Sequence, residues 1–161
     1  MNIVLLTVGK TEESYWKEAL AEYQRRLQHY VPFELQALPE VKNTKNLTMS
    51  QQKTQEGVLI RKAMQAGDWF VLLDEQGKEY TSMQFAAYLE KKIQIVSRRL
   101  VFVIGGPYGF SDEVYQMHGF DCAADAGYSW MGHGIWACSA CGESDALADG
   151  GRLVFTLVLL L

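Results

Sequence analysis

The sequence predicts an α/β fold, a mostly parallel sheet with helices on both faces. Three observations predict it. Val101-Phe-Val-Ile104 and Phe70-Val-Leu-Leu73 are continuous apolar runs of strand length, as is Ile3-Val-Leu-Leu6. Such runs suit strands buried on both faces. The two later runs lie about thirty residues apart, enough for one helix in a βαβ unit. The chain has 161 residues, enough for one domain with a sizeable core.

The elements follow in order. Residues 2–8 read as a buried strand that turns at Gly9. Residues 12–30 read as an amphipathic helix. Tyr15, Trp16, Ala19, Leu20, Tyr23 and Leu27 form its apolar stripe, with Lys17, Glu18, Glu22, Arg25 and Arg26 mostly opposite. Pro32 stops it. Phe33 to Leu38 alternates like a half-exposed strand, and residues 40–47 form a polar loop carrying Lys42 and Lys45. Thr48-Met-Ser-Gln51 has capping-box spacing and opens a helix through Ala66, ended by Gly67. Residues 69–73 are the third strand. Thr81-Ser-Met-Gln84 is a second capping box, opening a helix to about Gln94 with Phe85, Tyr88, Leu89 and Ile93 inward. Residues 99–104 are the fourth strand. Ser111-Asp112-Glu113 then starts a helix over 111–117, with an N-cap and an acidic first turn.

The net charge of −4 argues against a nonspecific nucleic-acid coat but leaves room for a local basic face. Met1-Asn2 leads directly into an apolar strand with no basic leader, so no signal peptide is expected. The longest apolar run, Leu153 to Leu161, is far short of the ~20 residues needed to cross a bilayer. A cytoplasmic protein without membrane contact is the expectation. Composition breaks sharply near residue 117. Residues 1–116 hold 14 of the 15 Lys and Arg and 14 of the 19 Asp and Glu, so that part is neutral. Residues 117–161 hold one basic residue, Arg152, all three cysteines and seven of the fourteen glycines.

The chemistry concentrates at two strand ends. Val101–Ile104 runs directly into Gly105, Gly106, Pro107 and Gly109, followed by a helix start. A strand, a glycine turn and a helix N-terminus let backbone N–H groups face a ligand. The strand before it ends in Leu73-Asp74-Glu75-Gln76-Gly77-Lys78. Ligands of open α/β sheets bind outside such carboxyl ends. Leu72 and Leu73 offer an apolar slot for a ring, while Gly105 and Gly106 permit close main-chain approach and Gly109 shapes the loop. Asp74 could orient a ligand, or serve only as a turn residue.

Ile3–Lys10, Tyr15–Leu27, Leu73–Lys78 and Phe102–Phe110 together resemble one family, the ribosomal RNA large-subunit methyltransferases H of the SPOUT class. The resemblance covers residues 1–116. It implies a single SPOUT domain over 1–161 with an α/β knot. It implies S-adenosylmethionine as methyl donor, with Leu73 and Gly106 at the cofactor. It further implies methylation of N3 of a pseudouridine in large-subunit rRNA, by a homodimer acting on the assembled ribosome. From residue 117 the family pattern stops. Its Ser-Leu-Ser-x-Met-Thr-like loop, its His and Arg on a helix and its Pro-Tyr-His ending have no counterpart here. A shifted reading frame near codon 117 is the favoured account of this anomalous tail. The catalytic residue is therefore unassigned: His118 and His133 stand in no matching context. A noncatalytic nucleotide- or ribosome-binding module is the alternative reading.

Two further patterns carry less. Cys138-Ser-Ala-Cys141 with Cys122 and His133 has the atoms of a zinc site but the spacing of no zinc module, and no metal is expected. Lys42, Lys45, Lys53, Arg61 and Lys62, with the pairs Arg25-Arg26 and Arg98-Arg99, could contact phosphates or form an ordinary solvated surface.

Overall fold

A computed structural model describes residues 1–9, 14–78, 80, 82–117 and 120–123. Among these residues, five strands and four helices follow in order: β1 (Asn2–Val8), α1 (Ser14–Leu27), β2 (Phe33–Leu38), α2 (Met49–Ala63), β3 (Trp69–Lys78), α3 (Ser82–Ile95), β4 (Arg99–Ile104), α4 (Asp112–Tyr115) and β5 (Phe120–Ala123). A short 3₁₀ turn, Thr44–Asn46, precedes α2. The strands form one sheet in the order β2-β1-β4-β3-β5, and every pairing is parallel.

Alternation along each strand divides the core into two layers. Ile3, Leu5, Val71, Leu100 and Phe102 pack on one face with Leu27 of α1 and Phe85 and Leu89 of α3. Val4, Leu6, Phe70, Leu72, Val101 and Val103 pack on the other, with Ile60 of α2, Phe110 and Val114 of α4. Helices therefore cover both faces, as the sequence predicts. That double burial explains why β1, β3 and β4 read as unbroken apolar runs. β2 is an edge strand, half-exposed as expected, but its exposure does not follow the sequence alternation: Glu34 and Ala37 are exposed, while Gln36 is half-buried.

The capping box at Thr48 is present: its hydroxyl accepts from the Gln51 N–H, and the Gln51 side chain accepts from the Thr48 N–H. Thr81 of the second box lies outside the described residues.

Several expectations are corrected. α1 ends at Leu27 rather than residue 30, in a turn closed by Tyr30 and Val31 N–H donation to the Leu27 carbonyl. α2 ends at Ala63. Asp68 accepts from the Gln65 N–H, and Gly67 takes a φ of 89° inside that turn instead of stopping the helix directly. β3 runs on to Lys78, with a shift of register between Leu73 and Lys78, so Asp74 stands within a strand. Ile93 of α3 is exposed. Ser111 holds the N-cap position of α4, but its hydroxyl makes no cap bond. β5, which the sequence pattern does not predict, adds to β3 just past the point where the composition changes. His118, His133, Cys138 and Cys141 lie outside the described residues.

Phe102 is fully buried, with β1 and β3 on either side of it. Phe102→Ala should cost about 3–5 kcal/mol in urea unfolding. Met83→Ala, at a residue 65% exposed, should stay within about 0.5 kcal/mol.

Candidate functional site

The register sets Leu73 of β3 beside Ile104 of β4, and Ile104 beside Thr7 of β1. The carboxyl ends of three strands thus lie together. From Ile104 the chain turns through Gly105, Gly106, Pro107, Tyr108 and Gly109 into α4. Gly109 has a φ of 75°, a conformation that favours glycine, and its N–H donates to the Gly106 carbonyl at 3.1 Å. Leu73, Gly105, Gly106 and Gly109 are all half-buried at this end. Leu72 is different. It is wholly buried and faces the α2 layer, so it forms the floor beneath the strand ends.

Gly106 is a glycine for a reason the sequence did not disclose. A Cβ there would lie 2.6 Å from Cδ of Glu56 and closer still to both carboxylate oxygens. Glu56 comes from the middle of α2 and is only 4% exposed. The Gln52 side chain donates to its Oε1 at 2.9 Å. Burial raises its pKa above the ordinary 4.5, and the Gln52 amide and, to a lesser degree, the nearby Gly106 N–H only partly offset this by favouring the charged form. Oε2 makes no well-formed hydrogen bond among the described residues. The next residue, Gly57, is also pressed: a Cβ there would meet Ser111 Oγ at 2.7 Å and Val114 Cγ2 at 3.1 Å. Two adjacent α2 positions therefore lean directly on the β4–α4 turn.

The other side of the turn is held from β3. The Tyr115 hydroxyl donates to Asp74, tying α4 to that strand. Asp74 also flanks Gly109, whose missing Cβ would stand 3.7 Å from its Oδ1.

Glu56, Gln52 and Tyr115 were not singled out from sequence. A signal was available for the first two. Gln52, Glu56 and Ile60 are spaced four apart, so they share one stripe of α2, and Ile60 is buried. Polar residues on a core stripe need polar partners.

The basic residues divide in two. Arg25 and Arg26 pair with Glu22, and Arg61 pairs with Glu113. Arg99 donates to Asp68 Oδ1 at 2.8 Å with the Asp68 side chain 1% exposed, and Arg98 reaches the Ala66 carbonyl. These arginines are occupied in the fold. Lys42, Lys45, Lys53 and Lys62 have no carboxylate partner among the described residues. Lys42 also lines a groove of about 390 Å³ with Pro39, Val41, Gln55, Val58 and Leu59. No group of metal-ligating side chains occurs among the described residues. No helix among them is long and apolar enough to cross a membrane.

Burial gives Glu56 a pH signature. With its folded pKa raised, the native state keeps a proton that the unfolded chain loses, so this stabilisation is present below about pH 4.5 and is lost as pH rises. Glu56→Gln should therefore gain stability relative to the parent as pH rises from 4.5 to 7.5, read by urea unfolding at each pH. A constant difference would contradict the assignment.

Residues 1–122 match the family model described as "Predicted SPOUT methyltransferase". The match reaches β5, past the residue 116 at which the sequence resemblance ends. A protein of Parabacteroides distasonis named "Ribosomal RNA large subunit methyltransferase H" is 60% identical over 116 residues, covering 72% of this chain and 74% of that protein. Proteins of the same name from Bacteroides thetaiotaomicron and Porphyromonas gingivalis are each 52% identical, over 117 and 116 residues and 74% of their own lengths. With its parallel sheet, its glycine turn beyond β4 and a family match across three-quarters of its length, the chain belongs to the SPOUT methyltransferases.

Proposed function

We propose that this chain transfers a methyl group from S-adenosylmethionine to N3 of a pseudouridine in large-subunit rRNA, acting as a homodimer on the assembled ribosome. The observation that carries this reading is the placement of Leu73, Gly105 and Gly106 at adjacent strand ends within the matched family region. The relatives' shared name supports the RNA substrate.

The residues present suit such a cofactor. Leu73 and Ile104 offer half-buried apolar surface for an adenine. Gly109 leaves an open edge, and the Asp74 carboxylate beside it has the charge that would favour a sulfonium. When bound, S-adenosylmethionine supplies a methyl group already activated for transfer. The protein's part is to align donor and acceptor and to exclude water. N3 of the base must also lose a proton, which calls for a base or for stabilisation of the anion. The family's groups for that step belong to the part whose pattern has no counterpart in this sequence after residue 117. The departure of that tail from the family pattern favours, as a second reading, a module that binds without catalysis. A pocket selective for the sulfonium separates an enzyme scaffold from a general nucleotide binder.

Lys42, Lys45 and Lys53, without a carboxylate partner among the described residues, are the proposed RNA-backbone contacts. Their partners would be phosphates, which give affinity without reading sequence.

Calorimetry should show S-adenosylmethionine and its demethylated product bound at least about tenfold more tightly than ATP. Gly106→Val should abolish that binding, since its side chain collides with Glu56 and displaces the turn. Equal affinity for ATP, or unchanged binding by Gly106→Val, would count against the cofactor site. Replacing Lys42, Lys45 and Lys53 together by alanine should reduce the salt slope of ribosome binding by about 2, at ~0.7 per phosphate lost. An unchanged slope would remove these lysines from the interface.

A further inference from the structure

We infer that Glu56 is a positioning residue for the cofactor turn: its carboxylate, steadied by Gln52, fixes the Gly106 main chain at the carboxyl end of β4. The inference rests on reading that turn as the cofactor site, and it assigns a role to a residue outside the turn.

Gly105 and Gly106 are consecutive glycines, the pair with the widest backbone freedom available to a chain. A turn that reads a ligand with its main chain has to be restrained by something other than its own side chains. The structure restrains Gly106 in two ways. Its carbonyl accepts from the Gly109 N–H, and the Glu56 carboxylate packs directly against its Cα. The carboxylate fills the volume where a side chain at residue 106 would stand, so the glycine backbone rests against it.

Stability alone gives no reason for an acid at this position. The α2 face that carries Glu56 packs with Ile60 against Leu72, Val101 and Val103. An apolar residue of similar volume would fill that layer without the cost of burying a carboxylate. The nearest fixed donor is Gln52, one turn away on the same helix, held at 2.9 Å from Oε1. No cation pairs with Glu56 among the described residues. A carboxylate is thus retained beside an apolar layer, packed on the main chain of one glycine. Gly57 completes the device by allowing α2 to approach Ser111 and Val114, so Glu56 reaches the turn without distortion.

Glu56→Ala and Glu56→Gln in the full chain test the role through local amide exchange and S-adenosylmethionine affinity. Glu56→Ala should speed exchange at Gly106, Tyr108 and Gly109 by about tenfold or more, leave the β1 amides unchanged, and weaken binding by about tenfold. Glu56→Gln keeps an acceptor of the same shape and should restore both within about threefold. Faster exchange throughout the sheet would mean a merely structural role and overturn the inference. So would unchanged exchange at Gly106, or a glutamine variant that behaves like alanine. If the parent chain binds no S-adenosylmethionine, the cofactor reading fails by itself, and the exchange pattern still decides whether Glu56 holds the turn. Should Glu56→Ala not fold, Gln52→Ala leaves the acid in place without its donor. Exchange at Gly106 should then rise by about threefold, and no rise overturns the inference.

Discussion

The space at residue 106 is occupied by the Glu56 carboxylate, and the geometry of the β4–α4 turn depends on that substitution of one residue's side chain for another's. A glycine turn in isolation is loose. Here α2 presses on it from the sheet's lower face through Glu56 and Gly57, while Asp74 and Tyr115 hold it from β3. The strand ends supply position, and these contacts from neighbouring elements supply rigidity. Neither alone would fix the main-chain groups of this turn.

Most of the fold was legible because burial on both faces leaves a plain mark. β1, β3 and β4 have no alternation to misread, and the Thr48 box announces the start of α2. Boundaries were less legible where tertiary contacts override local preference. β3 continues through Asp74 to Lys78 despite its polar sequence. Gly67 looked like a helix stop, yet Asp68 closes the turn that contains it and also binds Arg99. Ser111 looked like a cap, yet its hydroxyl is buried against Gly57 instead.

The site was half legible. Leu73, Gly105, Gly106 and Gly109 stand out by type and by following apolar runs, and the structure brings them to one end of the sheet. Leu72 stands out for the same reasons but is core, because adjacent strand residues face opposite ways. Glu56 was hidden by its surroundings: among Lys53, Arg61 and Lys62 it reads as one more surface charge. Only its place on the stripe of Gln52 and Ile60 marks it as buried. The arginine pairs misled in the opposite sense. Arg98 and Arg99 look like a basic patch, but Arg99 is committed to a buried aspartate.

The sharing of one volume by positions 56 and 106 also constrains how this sequence can drift. A side chain at 106 is tolerable only after residue 56 has shortened, whereas residue 56 can shorten while 106 is still glycine. The two changes do not commute. A lineage that takes them in one order passes through a loosened but passable intermediate, and in the other order it meets a steric barrier at the first step. Closely packed glycines of this kind make the history of a site directional, with the partner's change acting as a permissive step.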